Sequence, residues 1–188
     1  MRQICFALVA LLLLASRAAA LEFSPHENDS GVLLAVLATG PIENGDADRF
    51  KAYLARHPSK KRTAVYLNST GGSLYEGMRL GRAFHQLGVR TVIEGDGALC
   101  VSACALAFLG GRDGNGTPWR TKSSSSQLGF HSWRSQFSSS RTYTDADMYA
   151  LEQRTQRTVL DVADYLREIG TDLDFLRIMF RASATDMN

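Results

Sequence analysis

The chain has 188 residues, of which 45% are hydrophobic, and its 21 basic residues nearly balance 19 acidic ones, for a net charge of +2. This composition is typical of a globular protein with a hydrophobic core, and the length suits one compact domain better than two. Because the positive and negative charges nearly cancel, there is no electrostatic reason to expect a nucleic acid or an anionic membrane as a partner.

The N-terminus has the pattern of a cleavable export signal. An apolar run from Ile4 to Ala15 is followed by small residues that end at Ala20, which is the context that a signal peptidase needs. The run is shorter than the ~20 apolar residues of a membrane-spanning helix, so a retained anchor is the less favoured alternative. We therefore expect a signal peptide over residues 1–20, a mature domain over residues 21–188, and export to the periplasm.

The mature sequence alternates apolar strands with amphipathic helices. Strands are predicted at 32–37, 63–67, 90–94 and 128–131, where apolar and β-branched residues run together. Helices are predicted at 46–56, 73–87, about 101–109, 145–170 and 172–182, and the polar segment 110–127 is predicted to be a loop. This alternation predicts an α/β fold, with a largely parallel sheet built from βαβ units and helices at the C-terminal end.

Two cysteines, Cys100 and Cys104, remain once Cys5 leaves with the signal. An exported protein meets an oxidising compartment, in which such a pair can form a disulfide. A bridge across one turn of the predicted helix would, however, be geometrically tight. Two unpaired cysteines that pack as small apolar residues are the slightly favoured interpretation, and the disulfide stays open.

Two glycine-containing loops follow predicted strands, at the sheet edge where the ligand sites of α/β proteins gather. The first is Thr70-Gly71-Gly72, whose glycines would let backbone N–H groups approach a substrate oxygen. The second runs from Gly97 to Cys104 and puts Ser102 in the first turn of a helix, with the amide of Ala103 beside it. Taken alone, a serine in such a place is more commonly a helix cap than a nucleophile.

The order of these motifs, followed by Leu128-Gly129-Phe130-His131, resembles the proteolytic subunit of Clp proteases and its periplasmic relatives in the Clp-protease/crotonase superfamily. The likeness covers about residues 32–131, and the family usually has proline where this chain has Thr70. It implies that Ser102 is the nucleophile and His131 its general base. It also implies an oxyanion hole formed by the N–H groups of Gly72 and Ala103, with Gly71 against the substrate.

The resemblance implies a third residue as well, an acid that orients the histidine. Asp186 is the nearest match to its place after the last helices. Asp172 and Asp174 are competitors, although helix capping also explains them. Family members continue for some length beyond this acid, so the C-terminal end of the chain could be truncated.

Together these expectations describe an exported serine endopeptidase that hydrolyses peptides or unfolded proteins through an acyl-enzyme and forms a homo-oligomer. It would need no cofactor, no metal and, outside the cytosol, no ATPase partner. The main alternative is a catalytically inactive module of the same fold that binds or assembles in the cell envelope. Two further alternatives are less favoured. An enoyl-CoA hydratase type of site would need cytosolic coenzyme A, and a serine–lysine dyad could use only Lys122.

Overall fold

A computed structural model describes residues 20–28, 32–133 and 140–181. Within these ranges the chain forms the α/β fold that the sequence predicts, with a mixed sheet of mostly parallel strands. The elements in chain order are β1 (Glu22–Pro25), β2 (Leu33–Thr39), α1 (Asp46–Arg56), β3 (Arg62–Asn68), α2 (Leu74–Leu87), β4 (Arg90–Ile93), β5 (Leu99–Val101), α3 (Ala103–Leu109), β6 (Arg120–Lys122), β7 (Gln127–Gly129), α4 (Asp145–Glu168) and α5 (Asp174–Arg181).

The strands form one larger and one smaller sheet. The larger sheet has the order β1-β2-β3-β4-β6, in which β1 is antiparallel to β2 and the other neighbours are parallel. Helices α1 and α2 connect β2 to β3 and β3 to β4, as parallel neighbours require. The smaller sheet consists of β5 and β7, which are also parallel.

The main core lies between the larger sheet and the helices α1 and α2. Phe50 of α1 packs edge-on against Phe84 of α2, with 5.0 Å between ring centroids, and both rings are fully buried. They join Val36 and Leu67 from the sheet in one apolar cluster. Burial of such a side chain contributes about 1.5–3 kcal/mol, so this layer fixes the sheet on which the loops are mounted.

The boundaries of α2 follow local sequence signals. Ser73 caps the helix, since its hydroxyl accepts a hydrogen bond from the N–H of Glu76, and Gly88 ends it in the left-handed conformation. None of the helices in the described ranges is long and apolar enough to cross a membrane. Residues 1–19, which hold almost all of the predicted signal peptide, lie outside those ranges.

Two expectations about the strands and helices were wrong, and the strand β1 was missed. The helix predicted from about residue 101 begins at Ala103, because residues 99–101 form β5 instead. The predicted loop 110–127 contains β6, a polar edge strand that pairs with β4 through its backbone and therefore lacks an apolar signal. The strand β1 was not predicted, since it lies in a short and mostly polar stretch.

Candidate active site

The ends of the parallel strands β3, β5 and β7 lie side by side, so the candidate residues that follow them are close to one another. The chain just past β3 bridges to β5 through Ser69 and Cys100, and β5 pairs with β7 through Val101 and Gly129. Because the neighbours run in the same direction, the loops that follow them leave from the same edge. In chain order these loops carry Gly71 and Gly72, then Ser102, then His131.

Ser102 occupies the turn between β5 and α3 in a strained backbone conformation. Its φ is 59° and its ψ is −125°, and among the described residues it is the only non-glycine residue with a positive φ. Such a conformation typically costs about 1–3 kcal/mol. Although Ser102 directly precedes a helix, its hydroxyl makes no capping hydrogen bond. Helix capping therefore does not explain this serine, whereas a strained strand-to-helix turn is how α/β-hydrolases expose a nucleophile.

Backbone contacts on both sides hold this turn in place. The N–H of Ser102 donates to the carbonyl of Gly129 at 3.0 Å, and its carbonyl accepts from the N–H of Ala105 at 3.0 Å. Gly71, with a φ of +90°, lies so close that a Cβ built on it would come within 2.7 Å of the Cβ of Ser102. Only glycine fits at this position, so the loop after β3 is matched to the turn of Ser102.

The N–H groups of Gly72 and Ala103 are free to bind a substrate oxygen. The carbonyl of Gly71 accepts from the N–H of Ile42 at 2.8 Å, and the N–H of Gly72, on the same trans peptide plane, therefore points away from Ile42. Across the described ranges, neither this N–H nor that of Ala103 donates to another residue. Two unpaired donors, one on each of the two loops that meet at Ser102, are what a tetrahedral oxyanion requires.

His131 lies two residues beyond β7, and its Nδ1 is 2.7 Å from the carbonyl oxygen of Ser132. A carbonyl oxygen only accepts, so this contact favours the tautomer that carries the proton on Nδ1 and leaves the lone pair on Nε2. A general base for a serine needs this tautomer. No hydrogen bond joins His131 to Ser102 in this structure, and such contacts commonly tighten only when substrate binds.

Two aromatic pairs flank His131 and attach its segment to α5. Phe130 packs edge-on against Phe175, with 4.6 Å between centroids, and Trp133 packs against Phe180 at 5.1 Å. From the sequence, α5 was expected to contribute to the site only through Asp174, as a candidate acid. Its apolar spacing predicts only a packed helix, and the partner of that apolar face could not be identified from the sequence.

Of the three candidate acids, the structure describes Asp172 and Asp174 but not Asp186. Asp186 lies outside the described residues. The carboxylate of Asp172 accepts from the N–H of Asp174 at 2.8 Å, and Asp174 is 3.5 Å from Arg177. Both therefore act at the start of α5, and in the described ranges neither is bonded to His131.

Lys122 is not placed for a serine–lysine dyad. It belongs to β6, at the far edge of the larger sheet, whereas Ser102 follows β5 of the smaller sheet. Its Nζ donates to the carbonyl of Ser123 at 2.7 Å. The described ranges also hold no group of three His, Cys, Asp or Glu side chains close enough together to bind a metal ion.

Glu76 helps to position the loop that carries Gly71 and Gly72, a role that was not predicted from the sequence. The residue is 2% exposed, and its carboxylate accepts hydrogen bonds from the N–H of Ala47 at 2.8 Å and from Arg79 at 2.9 Å. The side chain thus ties the start of α2 to the start of α1. Because Gly72 leads directly into α2, this buried link fixes where the loop after β3 ends.

Cys100 and Cys104 form a disulfide, with their Cα atoms 5.1 Å apart and both residues fully buried. The interpretation as unpaired cysteines was therefore wrong. It assumed that both residues lie in one helix, whereas Cys100 lies in β5 and only Cys104 lies in α3. The turn at Ser102 brings the two Cα atoms to an ordinary separation for a bridge.

No protein-family model matches this chain, and no curated protein matches it either. The functional evidence therefore comes from the site itself. Its principal features are a strained serine, two free backbone donors and a histidine whose Nε2 is available as a base.

Proposed function

We propose that this protein is an exported serine peptidase with a Clp-protease-like fold, in which Ser102 is the nucleophile and His131 the general base. The observation that carries the proposal is the strained conformation of Ser102, whose hydroxyl has no capping role. Backbone strain of this kind clusters at active sites, where it is often part of the mechanism. The fit of Gly71 against the same turn is a second sign that the neighbouring chain is built around this serine.

The proposed reaction is acyl transfer through Ser102. Nε2 of His131 accepts the hydroxyl proton of Ser102 as Oγ bonds to the carbonyl carbon of a peptide. The negative oxygen of the tetrahedral intermediate binds the N–H groups of Gly72 and Ala103, and each such donor typically lowers the barrier by ~2.7–4 kcal/mol. The intermediate collapses as the imidazolium protonates the leaving amine. Water, deprotonated by the same histidine, then hydrolyses the acyl-enzyme.

The carbonyl of Ser132 can orient His131 in this reaction. A carboxylate such as Asp186 would also stabilise the imidazolium, which a neutral carbonyl does only weakly. Asp186 therefore remains the proposed acid. The hydrogen bond to Ser132 supports the required tautomer even without it.

An extended peptide is the substrate that the site favours. Gly72 is exposed, and the peptide groups on either side of it bond to Ile42, so its own N–H and C=O face the opposite side. A free strand edge of this kind can pair with an extended chain. Homo-oligomer formation is proposed on the resemblance, with support from the exposed apolar side chains of Met148 and Tyr149 on α4.

The proposal is tested with the protein purified after export and incubated with fluorescently labelled casein as an unstructured substrate. We expect slow cleavage by the parent and none by Ser102→Ala or His131→Ala. Cleavage that persists in Ser102→Ala would reject Ser102 as the nucleophile. Peptide binding without cleavage in the parent would instead favour the inactive binding module.

A further inference from the structure

The disulfide between Cys100 and Cys104 encloses the strained turn. Cys100 lies two residues before Ser102, in β5, and Cys104 two residues after it, in α3. The covalent link therefore closes a ring of backbone whose middle residue is Ser102. These two cysteines are the whole complement of the sequence apart from Cys5 in the predicted signal peptide.

The other restraints on this turn are weaker than a covalent bond. The N–H of Ser102 donates to the carbonyl of Gly129, and the carbonyl of Ser102 accepts from the N–H groups of Ala105 at 3.0 Å and Leu106 at 3.4 Å. Each such bond contributes a net ~0.5–1.5 kcal/mol, so together they are only of the same order as the ~1–3 kcal/mol of strain that a positive φ imposes on serine. Removal of the disulfide would therefore leave the turn able to relax.

We propose that the Cys100–Cys104 disulfide positions the nucleophile, so that Ser102 is fully reactive only in the oxidised protein. The inference rests on the proposed peptidase function. The sulfur atoms do not touch the reacting groups; they act through the backbone of residues 101–103. In a relaxed turn, the hydroxyl of Ser102 and the N–H of Ala103 would no longer be aligned with the same carbonyl group of the substrate.

Because the Cys100–Cys104 disulfide is buried, we infer that it is permanent and does not act as a reversible redox switch. Both cysteines are 0% exposed, so a thiolate reductant cannot reach either sulfur in the folded protein. The bond forms once, when two thiols pass two electrons and two protons to a disulfide-containing oxidant in the compartment where the chain folds. Copies that fold in a reducing cytosol would carry a serine of low reactivity, which protects that compartment from proteolysis.

The test compares the parent with Cys100→Ala/Cys104→Ala in their reaction with a fluorophosphonate, measured as the maximal inactivation rate and the half-saturating probe concentration. We expect the maximal rate to fall about ten- to a hundredfold, the range that follows from such strain, and the half-saturating concentration to stay within about twofold. Thr91→Val is the control. It removes a buried hydrogen bond to Phe108 at the other end of α3 and should leave both constants unchanged. All measurements are made where near-UV circular dichroism shows the native fold.

A second measurement does not depend on activity. In the parent, removal of the disulfide lets the turn relax, and the released strain offsets part of the loss in stability. Glycine at position 102 has no such strain to release. Removal of the disulfide should therefore reduce the folding equilibrium constant by a larger factor in the Ser102→Gly background than in the parent. Equal factors, or an unchanged maximal inactivation rate, would overturn the inference. A parent that does not react with the probe would reject the peptidase function, and the stability comparison would still decide the role of the disulfide.

Discussion

The backbone N–H of Ser102 donates a 3.0 Å hydrogen bond to the carbonyl of Gly129, which ties the turn of the proposed nucleophile to the strand that leads to His131. Because His131 follows Gly129 by only two residues, the relative position of Ser102 and His131, the proposed catalytic pair, depends on the pairing of β5 with β7. The site is therefore assembled by backbone pairing, and its side chains need to make no contact before substrate arrives.

Gly71→Ala should damage the site directly. An added Cβ would come within 2.6 Å of the carbonyl oxygen of Val101 and 2.7 Å of the Cβ of Ser102, at a φ of +90°. We expect a loss of about 2–4 kcal/mol in unfolding free energy and at least a hundredfold loss of fluorophosphonate labelling. Gly114→Ala is the matched control, since its Cβ meets no atom within 4 Å and its φ is not positive. Equal behaviour of the two variants would show that the turn tolerates side chains.

Two serines that each precede a helix should respond differently to alanine. Ser73 accepts a hydrogen bond from the N–H of Glu76, so Ser73→Ala should cost about 1 kcal/mol in urea unfolding. Ser102 makes no capping bond, and alanine suffers the same strain as serine, so Ser102→Ala should change stability by less than about 0.5 kcal/mol while it abolishes activity. A stability loss in Ser102→Ala as large as in Ser73→Ala would restore the capping explanation.

The contact between His131 and the carbonyl of Ser132 predicts that Asp186 is helpful but not indispensable. Asp186→Asn should lower the labelling rate, because the imidazolium would lose the charged partner proposed for it, yet leave a rate well above that of His131→Ala. The two variants are compared with the parent in the same fluorophosphonate assay. Activities of Asp186→Asn and His131→Ala that are equally low would mean that the carbonyl alone does not orient the base.

His85 predicts a pH dependence of stability that has nothing to do with catalysis. Burial lowers the pKa of His85 below its usual 6.5, the charges of Arg112 and Arg120 lower it further, and Glu168 opposes them. Nδ1 of His85 is also buried without a partner in the described part of the chain. The folded state thus favours neutral histidine, so its contribution to stability is complete above pH 6.5 and is lost as pH falls through the lowered pKa.

His85→Gln should accordingly weaken this dependence. The decrease in unfolding free energy between pH 7.5 and pH 5, measured by urea titration, should be smaller in the variant than in the parent. An equal decrease in both proteins would show that His85 does not contribute to the acid sensitivity.

The elements that the sequence predicted well are those with signals in their own residues. Ser73 and Gly88 mark the two ends of α2, and the apolar runs mark the central strands. The strand β6 has no such signal, since Arg120–Lys122 is polar and pairs only through its backbone. Its place at the edge of the larger sheet was therefore not visible in the sequence.

The features of the site that could not be predicted depend on contacts between distant residues. The positive φ of Ser102 is imposed where β5, β7 and the loop of Gly71 meet, and no local pattern in the sequence encodes it. The disulfide was left open, with unpaired cysteines slightly favoured, because a bridge across one turn of a helix would be tight. In the structure Cys100 lies in the short strand β5, and this strand is defined by its pairing with β7 more than by its own sequence.

The most direct test of the Ser102–His131 pair is to treat the exported protein with a fluorophosphonate and locate the adduct by mass spectrometry, beside Ser102→Ala and His131→Ala variants that retain the native circular dichroism spectrum. We predict one adduct per chain, on Ser102, and none above background in either variant. An unmodified parent, or an adduct that forms on Ser102 equally fast without His131, would contradict the proposed catalytic pair.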